Sequence, residues 1–166
     1  MINVSKEVKF SLQDNPNIIK ELKRKQAVLV GAYKEKTIRY DDKYESLEKR
    51  GKFIRVRSGL KNIISIKEKI EDDDEQKVFK RNEIEVEIGD IKKMQYILEN
   101  IGLKETYTME KYRLKWQYDD AEINLDELPF GLFLEIHGEE EKIEKVSNEL
   151  GLNKNNIIIG TYWDIF

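Results

Sequence analysis

The sequence predicts an α+β fold in which an antiparallel β-barrel, or a strongly curved sheet, carries amphipathic helices on its outside. Three observations lead there. Apolar and polar residues alternate at strand spacing over most of the chain, and only three segments change to helical spacing. So many strands would also leave exposed, unpaired edges unless the sheet curves round on itself. The 166 residues are read as one domain, 1–166, long enough to hide roughly 70% of the surface of the unfolded chain.

The elements follow in order. Val4, Val8, Phe10 and Leu12 hold even positions while Ser5, Glu7, Lys9 and Ser11 hold odd ones, which is a strand. Asn15-Pro16 then opens a helix carrying Ile18, Ile19 and Leu22, with Pro16 in the first turn where its missing N–H costs nothing. A weaker strand runs from Ala32 to Tyr40. In FIRVR, 53–57, Ile54 and Val56 face one way and Arg55 and Arg57 the other, and in 64–67 Ser65 and Lys67 share the polar face. The acidic run Glu71 to Gln76 reads as a solvated loop. In EIEVEI, 83–88, Glu83, Glu85 and Glu87 oppose Ile84, Val86 and Ile88, and the apolar side is the expected core side. Asp90 caps a helix with Ile91, Met94, Ile97, Leu98 and Ile101, and Gly102 ends it. Strands follow at 111–116, 122–126 and 132–137. Glu139, Glu140 and Glu141 favour the start of a last helix, whose apolar face is Ile143, Val146 and Leu150 and whose end is Gly151. The similar lead-ins EVKFSLQDN and EVEIGD suggest an internal duplication.

Composition excludes several functions. Thirty Lys plus Arg against 33 Asp plus Glu give a net charge of −3, which argues against a general nucleic-acid binder or a polybasic membrane binder. With no Cys there are no disulfides, thiolate zinc sites or cysteine nucleophiles, and a single His rules out multi-histidine metal sites. No apolar run approaches the roughly 20 residues of a membrane span, and the first residues lack a secretory signal's apolar stretch, so the expected location is cytoplasmic.

The polar strand positions carry the chemistry. Glu7, Lys9, Arg55, Arg57, Lys67, Glu83, Glu85, Lys111, Arg113 and Glu135 fall on odd positions, and Asp126 holds the polar face of its own strand. A sheet with one solvated face shows the same alternation. The mixture of arginine, lysine and carboxylate, with almost no Thr or Gln, is instead what a face turned into a charged tunnel carries. Phosphoryl transfer needs cations to hold a polyanion and carboxylates to hold the divalent ion that neutralises developing charge. Arg55 and Arg57 project together, as do Lys111 and Arg113, and arginine's fork suits phosphate oxygens. Mg²⁺ or Mn²⁺ takes oxygen ligands, for which Glu7, Asp126 and Glu135 are the candidates.

Taken together, these stretches resemble the CYTH domain, or triphosphate tunnel metalloenzymes, a family that includes class IV adenylyl cyclases, thiamine triphosphatases and inorganic triphosphatases. SKEVK is similar to the family's E-x-E-x-K, FIRVR to its R-x-R strand, ISIK to the lysine strand after it, and RNEIEVE to R-x-E-x-E. KYR is similar to K-x-R, LDELPFGLFLEIHG to the stretch ending in E-x-E, and TYWDIF to S-Y-x-D-L. The resemblance implies an eight-stranded antiparallel tunnel in which Lys9, Arg55, Arg57, Lys67, Arg81, Lys111 and Arg113 hold the phosphates of inorganic triphosphate, ATP or thiamine triphosphate. It further implies Mg²⁺ or Mn²⁺ at Glu7, Asp126, Glu135 and the His137 position, with Glu7, Lys9, Glu85 and Glu135 as the catalytic set.

Two residues depart from the family pattern: Ser5 and His137 stand where the family has metal-site glutamates. A neutral imidazole suits Mn²⁺, Fe²⁺ or Zn²⁺ better than Mg²⁺. The expected function is metal-dependent hydrolysis of a triphosphate. Cyclisation of ATP and triphosphate binding without turnover are the alternatives, and Tyr33, Tyr40, Tyr112, Trp116 and Tyr118 are the aromatics available to stack on adenine. The expected partner is the small-molecule triphosphate, with neither nucleic acid nor membrane, and a homodimer is compatible with the chain.

Overall fold

The computed structural model describes residues 3–14, 16–70 and 78–165. The acidic run at 71–76 and Asn15 lie outside them. The elements are β1 (Asn3–Leu12), α1 (Pro16–Arg24), β2 (Val28–Asp41), β3 (Lys52–Ser58), β4 (Ile63–Lys69), β5 (Phe79–Glu87) and α2 (Ile91–Asn100). They continue with β6 (Lys104–Tyr118), β7 (Ala121–Leu128), β8 (Gly131–His137), α3 (Glu140–Glu149), β9 (Ile157–Ile158) and α4 (Tyr162–Ile165). The strands form one sheet in the order β5-β4-β3-β2-β6-β7-β8-β1-β9, and β5 also pairs with β1, so the first eight close into an antiparallel barrel with β9 added at β1. Among the described residues no helix is long and apolar enough to cross a membrane.

β2 begins at Val28 and β6 at Lys104, earlier than the expected 32 and 111. Val28, Leu29 and Val30 are exposed, as is most of the first half of β6. Neither face is buried there, so nothing imposes the alternation by which a strand is recognised.

The chain divides into two compact units. One comprises Ser5–Tyr33, Asp73–Lys80 and Lys111–Phe166. Its core is built by register: Val8 lies opposite Ile136 and Phe10 opposite Leu134, Ile123 opposite Ile136 and Leu125 opposite Leu134, and Trp116 opposite Ile123. Leu22 of α1, Ile143 and Val146 of α3 and Leu150 at its C-terminal end pack onto this apolar face, as their spacing requires. Burying each such side chain fully contributes about 1.5–3 kcal/mol. Asp119 and Asp120 turn β6 into β7 with φ of 48° and 61°, the two-residue geometry that matches strand twist. Lys142 and Lys145 of α3 donate to Asp119 at 2.9 and 2.7 Å, which ties the helix to the turn.

The other unit comprises Met1–Val4, Lys34–Asp72 and Arg81–Glu110. Ile38, Tyr40 and Val56 pack with Leu98 of α2, joined by Ile54, Ile64, Ile88, Ile91, Met94 and Leu103. Asp90 accepts a hydrogen bond from the Lys93 N–H at 3.0 Å, the expected helix cap. The core expectation for β5 is corrected: Ile84 and Val86 are 42% and 55% exposed, while the Glu83 side chain on the opposite face is only 12% exposed. The core gathered around Leu98 ends at Ile64 and Ile88 and does not take in Ile84 or Val86, so at Glu83 the charged face of this strand is the better covered one.

Candidate functional site

In the first unit, antiparallel register sets the charged residues in rows. Glu7 lies opposite His137, and His137 opposite Glu122 on its other side. In the next row Lys9 lies opposite Glu135, Glu135 opposite Asn124 and Asn124 opposite Lys115. Asp126 lies opposite Arg113. Directly opposed residues share a face, so these side chains meet.

Arg113 is the hub. Its Nε donates to Asp126 Oδ1 at 2.6 Å, and its Nη2 donates to Asp126 Oδ2 at 2.5 Å and to Glu135 Oε2 at 2.6 Å. Lys111 Nζ donates to Asp126 Oδ2 at 2.8 Å. Lys9 Nζ stands 3.1 Å from Glu135 Oε1 and 3.5 Å from Glu7 Oε1. Lys9, Arg113, Asp126 and Glu135 are all buried. Burial alone would push both carboxyls up, but Arg113 and Lys111 hold Asp126 below its ordinary value, and Lys9, Lys111 and Arg113 hold Glu135 well below its own. Burial likewise pulls the Lys9 ammonium down, and Glu135 and Glu7 outweigh it, leaving it raised. Asp126, Glu135 and Lys9 are therefore held in their charged forms at neutral pH.

The segment after β9 completes this cluster. Tyr162 OH donates to Asp126 Oδ2 at 2.8 Å, and its ring lies 4.4 Å from Lys9 Nζ and 4.9 Å from Lys111 Nζ, within the range of cation–π attraction. Burial, then Asp126 and Glu135, push the Tyr162 hydroxyl well above its ordinary value, so it stays a donor. Asp164 accepts from Thr161 N and Oγ1 at 2.6 and 2.7 Å, and Lys9 Nζ donates to Gly160 O at 3.3 Å, which pins the segment.

The second unit gathers the other predicted cations. Arg55 Nε donates to Ser65 Oγ at 2.9 Å and its Nη2 to Glu83 and Glu85 at 3.3 and 3.4 Å. Arg57 Nη2 donates to Glu85 at 3.0 Å, and Lys67 Nζ pairs with Glu83 at 2.9 Å. Arg81 rests its guanidinium 5.1 Å from the centroid of Phe53. Burial and then Arg57 lower the Arg55 pKa, while Lys67 and Arg55 overcome burial to lower that of Glu83. Buried Glu35, 3.9 Å from Arg57 Nε, also belongs here and was not singled out by its sequence pattern.

The predicted metal residues separate into two kinds. Asp126 spends both oxygens on Arg113, Lys111 and Tyr162. Glu7 and Glu135 instead flank His137, with Nδ1 3.5 Å from Glu7 Oε2 and Nε2 3.6 Å from Glu135 Oε2. Among the described residues no three or more His, Asp or Glu side chains form a metal cage by themselves. One or two protein ligands with water and phosphate oxygens satisfy such an ion when it binds together with its anion. The His137 Nε2 is buried and lacks a hydrogen-bond partner, so the donor set at His137 and Glu135 fits a divalent ion. Of the predicted adenine-stacking aromatics, Tyr40 and Trp116 are core residues, and Tyr118 OH donates to Glu149 at 2.7 Å.

This fold and this charged face define a class, and the chain belongs to the CYTH domain family, whose model matches residues 3–160. A candidate adenylate cyclase of Methanocaldococcus jannaschii is 32% identical over 96 residues, covering 51% of this chain and 55% of the relative. The chain thus spans about half the length of the curated relative it matches. Among solved structures, a candidate adenylate cyclase from Vibrio parahaemolyticus superposes with a TM-score of 0.83 at 18% identity over 97% of both chains. A Hippeastrum candidate adenylyl cyclase, described as having a dominant triphosphatase activity, superposes with a TM-score of 0.69 at 15% identity over 98% of this chain and 94% of that one. At these identities the two structures share its fold.

Proposed function

We propose that this chain hydrolyses a triphosphate with the help of a divalent metal ion. The observation that carries this reading is the cluster in which Lys9, Lys111 and Arg113 stand on the same face as Glu7, Glu135 and His137. Lys9, Lys111 and Arg113 bind phosphate oxygens by exchange with the carboxylates that hold them. Arg55, Arg57, Lys67 and Arg81 suit phosphate oxygens in the same way, with Glu83 and Glu85 holding the first three in place. A divalent ion held at Glu135 and His137 would neutralise charge and polarise the phosphoryl group and a water. Glu7, which lies beside Lys9 and outside the arginine fork, accepts the proton of the attacking water. Asp126 orients Arg113 and Lys111. The names of the relatives favour a second reading, in which the ribose 3′-hydroxyl of ATP takes the place of water and cyclic AMP and pyrophosphate leave.

The test is incubation of the purified chain with inorganic triphosphate and, separately, ATP, each with Mg²⁺ and with Mn²⁺, and chromatography of the products. Orthophosphate release supports hydrolysis, and cyclic AMP replaces it with the second reading. Triphosphate binding without any product overturns both. Arg55→Ala is expected to weaken triphosphate binding with folding intact.

A further inference from the structure

We propose that Arg39 is a further phosphate-binding residue, and that the group it takes together with Arg55 and Arg81 is the unsubstituted terminal phosphate of the bound chain. This rests on the triphosphate reading above and adds a residue and the end of the substrate that it meets.

Arg39 belongs to none of the stretches that carry the family resemblance, and register alone places it. It lies opposite Arg55 on β3, Arg55 lies opposite Ser65 on β4, and Ser65 lies opposite Glu85 on β5. Directly opposed residues share a face, so Arg39 stands on the charged face beside an arginine that suits phosphate. Phe53 holds the next row on that face, opposite Lys67, which in turn lies opposite Glu83. The Arg39 guanidinium rests 4.3 Å from the centroid of the Phe53 ring and the Arg81 guanidinium 5.1 Å from it, both within cation–π range. One ring therefore supports two guanidinium groups, with Arg55 and Lys67 in the adjoining ladder positions.

A guanidinium that meets a ring with its face keeps its N–H donors directed sideways, in the fork that fits phosphate oxygens. Arg39, Arg81 and Arg55 bring three such forks to one end of the face. The terminal phosphate is the part of a phosphoanhydride chain that answers them best, because it carries the most charge and three oxygens without a substituent. The organic end of a substrate finds nothing to hold it here. Phe53 is 7% exposed and its ring already faces both guanidinium groups, so it offers no stacking surface to a base, and a cationic ring such as that of thiamine would meet like charge.

The full chain is titrated by calorimetry with inorganic triphosphate and with diadenosine triphosphate, both of whose end phosphates are esterified, each with Mg²⁺. The native chain is expected to bind the blocked ligand more weakly. Arg39→Ala is expected to lose about tenfold or more in affinity for inorganic triphosphate and to leave that for diadenosine triphosphate unchanged. Arg39→Lys, which keeps the charge but not the fork, should lose part of the same affinity. Native affinity for inorganic triphosphate in whichever of the two variants keeps the native urea midpoint overturns the role of Arg39, and equal losses for both ligands overturn the terminal-phosphate assignment. Either result leaves hydrolysis standing where the native chain releases orthophosphate. Selective loss of inorganic triphosphate in a chain that releases none supports Arg39 and overturns the hydrolytic reading.

Discussion

Replacing Arg113 by alanine removes a side chain that reaches both buried carboxylates. Three short charged hydrogen bonds disappear, to Asp126 at 2.6 and 2.5 Å and to Glu135 at 2.6 Å. Removing one partner of a buried pair costs about 3–5 kcal/mol because the other charge stays behind. Lys111 remains 2.8 Å from Asp126 and Lys9 remains 3.1 Å from Glu135, so the loss belongs at the lower end, about 3 kcal/mol. The loss should depend on pH with a definite sign. Both carboxyls are depressed in the folded native chain, so their contribution is complete above the unfolded value of about 4 and is lost as pH falls through the folded values. Without Arg113 the folded values move back up, and the variant relieves itself by protonation. Its deficit therefore shrinks as pH falls from about 7 towards about 4.5. Urea unfolding of both proteins at the two pH values measures this, and Arg113→Lys, which keeps the charge but not the fork, should fall between them. A deficit below about 1 kcal/mol, or one of equal size at both pH values, refutes the assignment of Arg113 as the group that keeps Asp126 and Glu135 ionised.

Two further outcomes are expected. Ile84→Ala and Val86→Ala should change stability by no more than about 0.5 kcal/mol because both residues are exposed, whereas Ile123→Ala, fully buried, should cost about 2–5 kcal/mol; similar urea midpoints for the three would contradict the face assignment. Tyr162→Phe should cost about 1–2 kcal/mol through the loss of one buried hydrogen bond to the Asp126 carboxylate, which keeps Arg113 and Lys111, and Tyr162→Leu, which also removes the ring from Lys9 and Lys111, about 1 kcal/mol more. Equal unfolding free energies for the two variants would show that the ring contributes nothing.

Alternation along the sequence says which residues share a face, and it placed Glu7 with Lys9, Arg55 with Arg57 and Lys111 with Arg113 correctly. It does not say which face is covered. That depends on how far a neighbouring helix reaches, which is why Ile84 and Val86 read as core and lie in solvent. Helices with a full apolar stripe and a cap, such as the one after Asp90, were legible for the same periodic reason. Tyr162 sits in a four-residue helix, too short for any period to declare its direction. Arg39 looked like an ordinary residue of the weak strand ending at Tyr40, because its place on the Phe53 ring is a property of three-dimensional neighbours and leaves no mark in the spacing. The outer halves of β2 and β6 escaped notice because strands wet on both faces carry no alternation.

The lysines and arginine around Asp126 and Glu135 have a consequence for how any polyanion enters. Lys9, Lys111 and Arg113 each stand within ion-pair distance of a carboxylate, so an arriving phosphate meets no bare positive charge. On the proposed function it would bind by exchange, drawing cations from carboxylates that are left facing it with the same sign. An anion that comes alone is opposed by the groups it displaces, and one that comes with a divalent ion hands those groups a replacement. By linkage the effect is mutual: the ion tightens the anion by the same factor as the anion tightens the ion. On the proposed function such a face would discriminate against free anions and admit the neutralised complex as a unit.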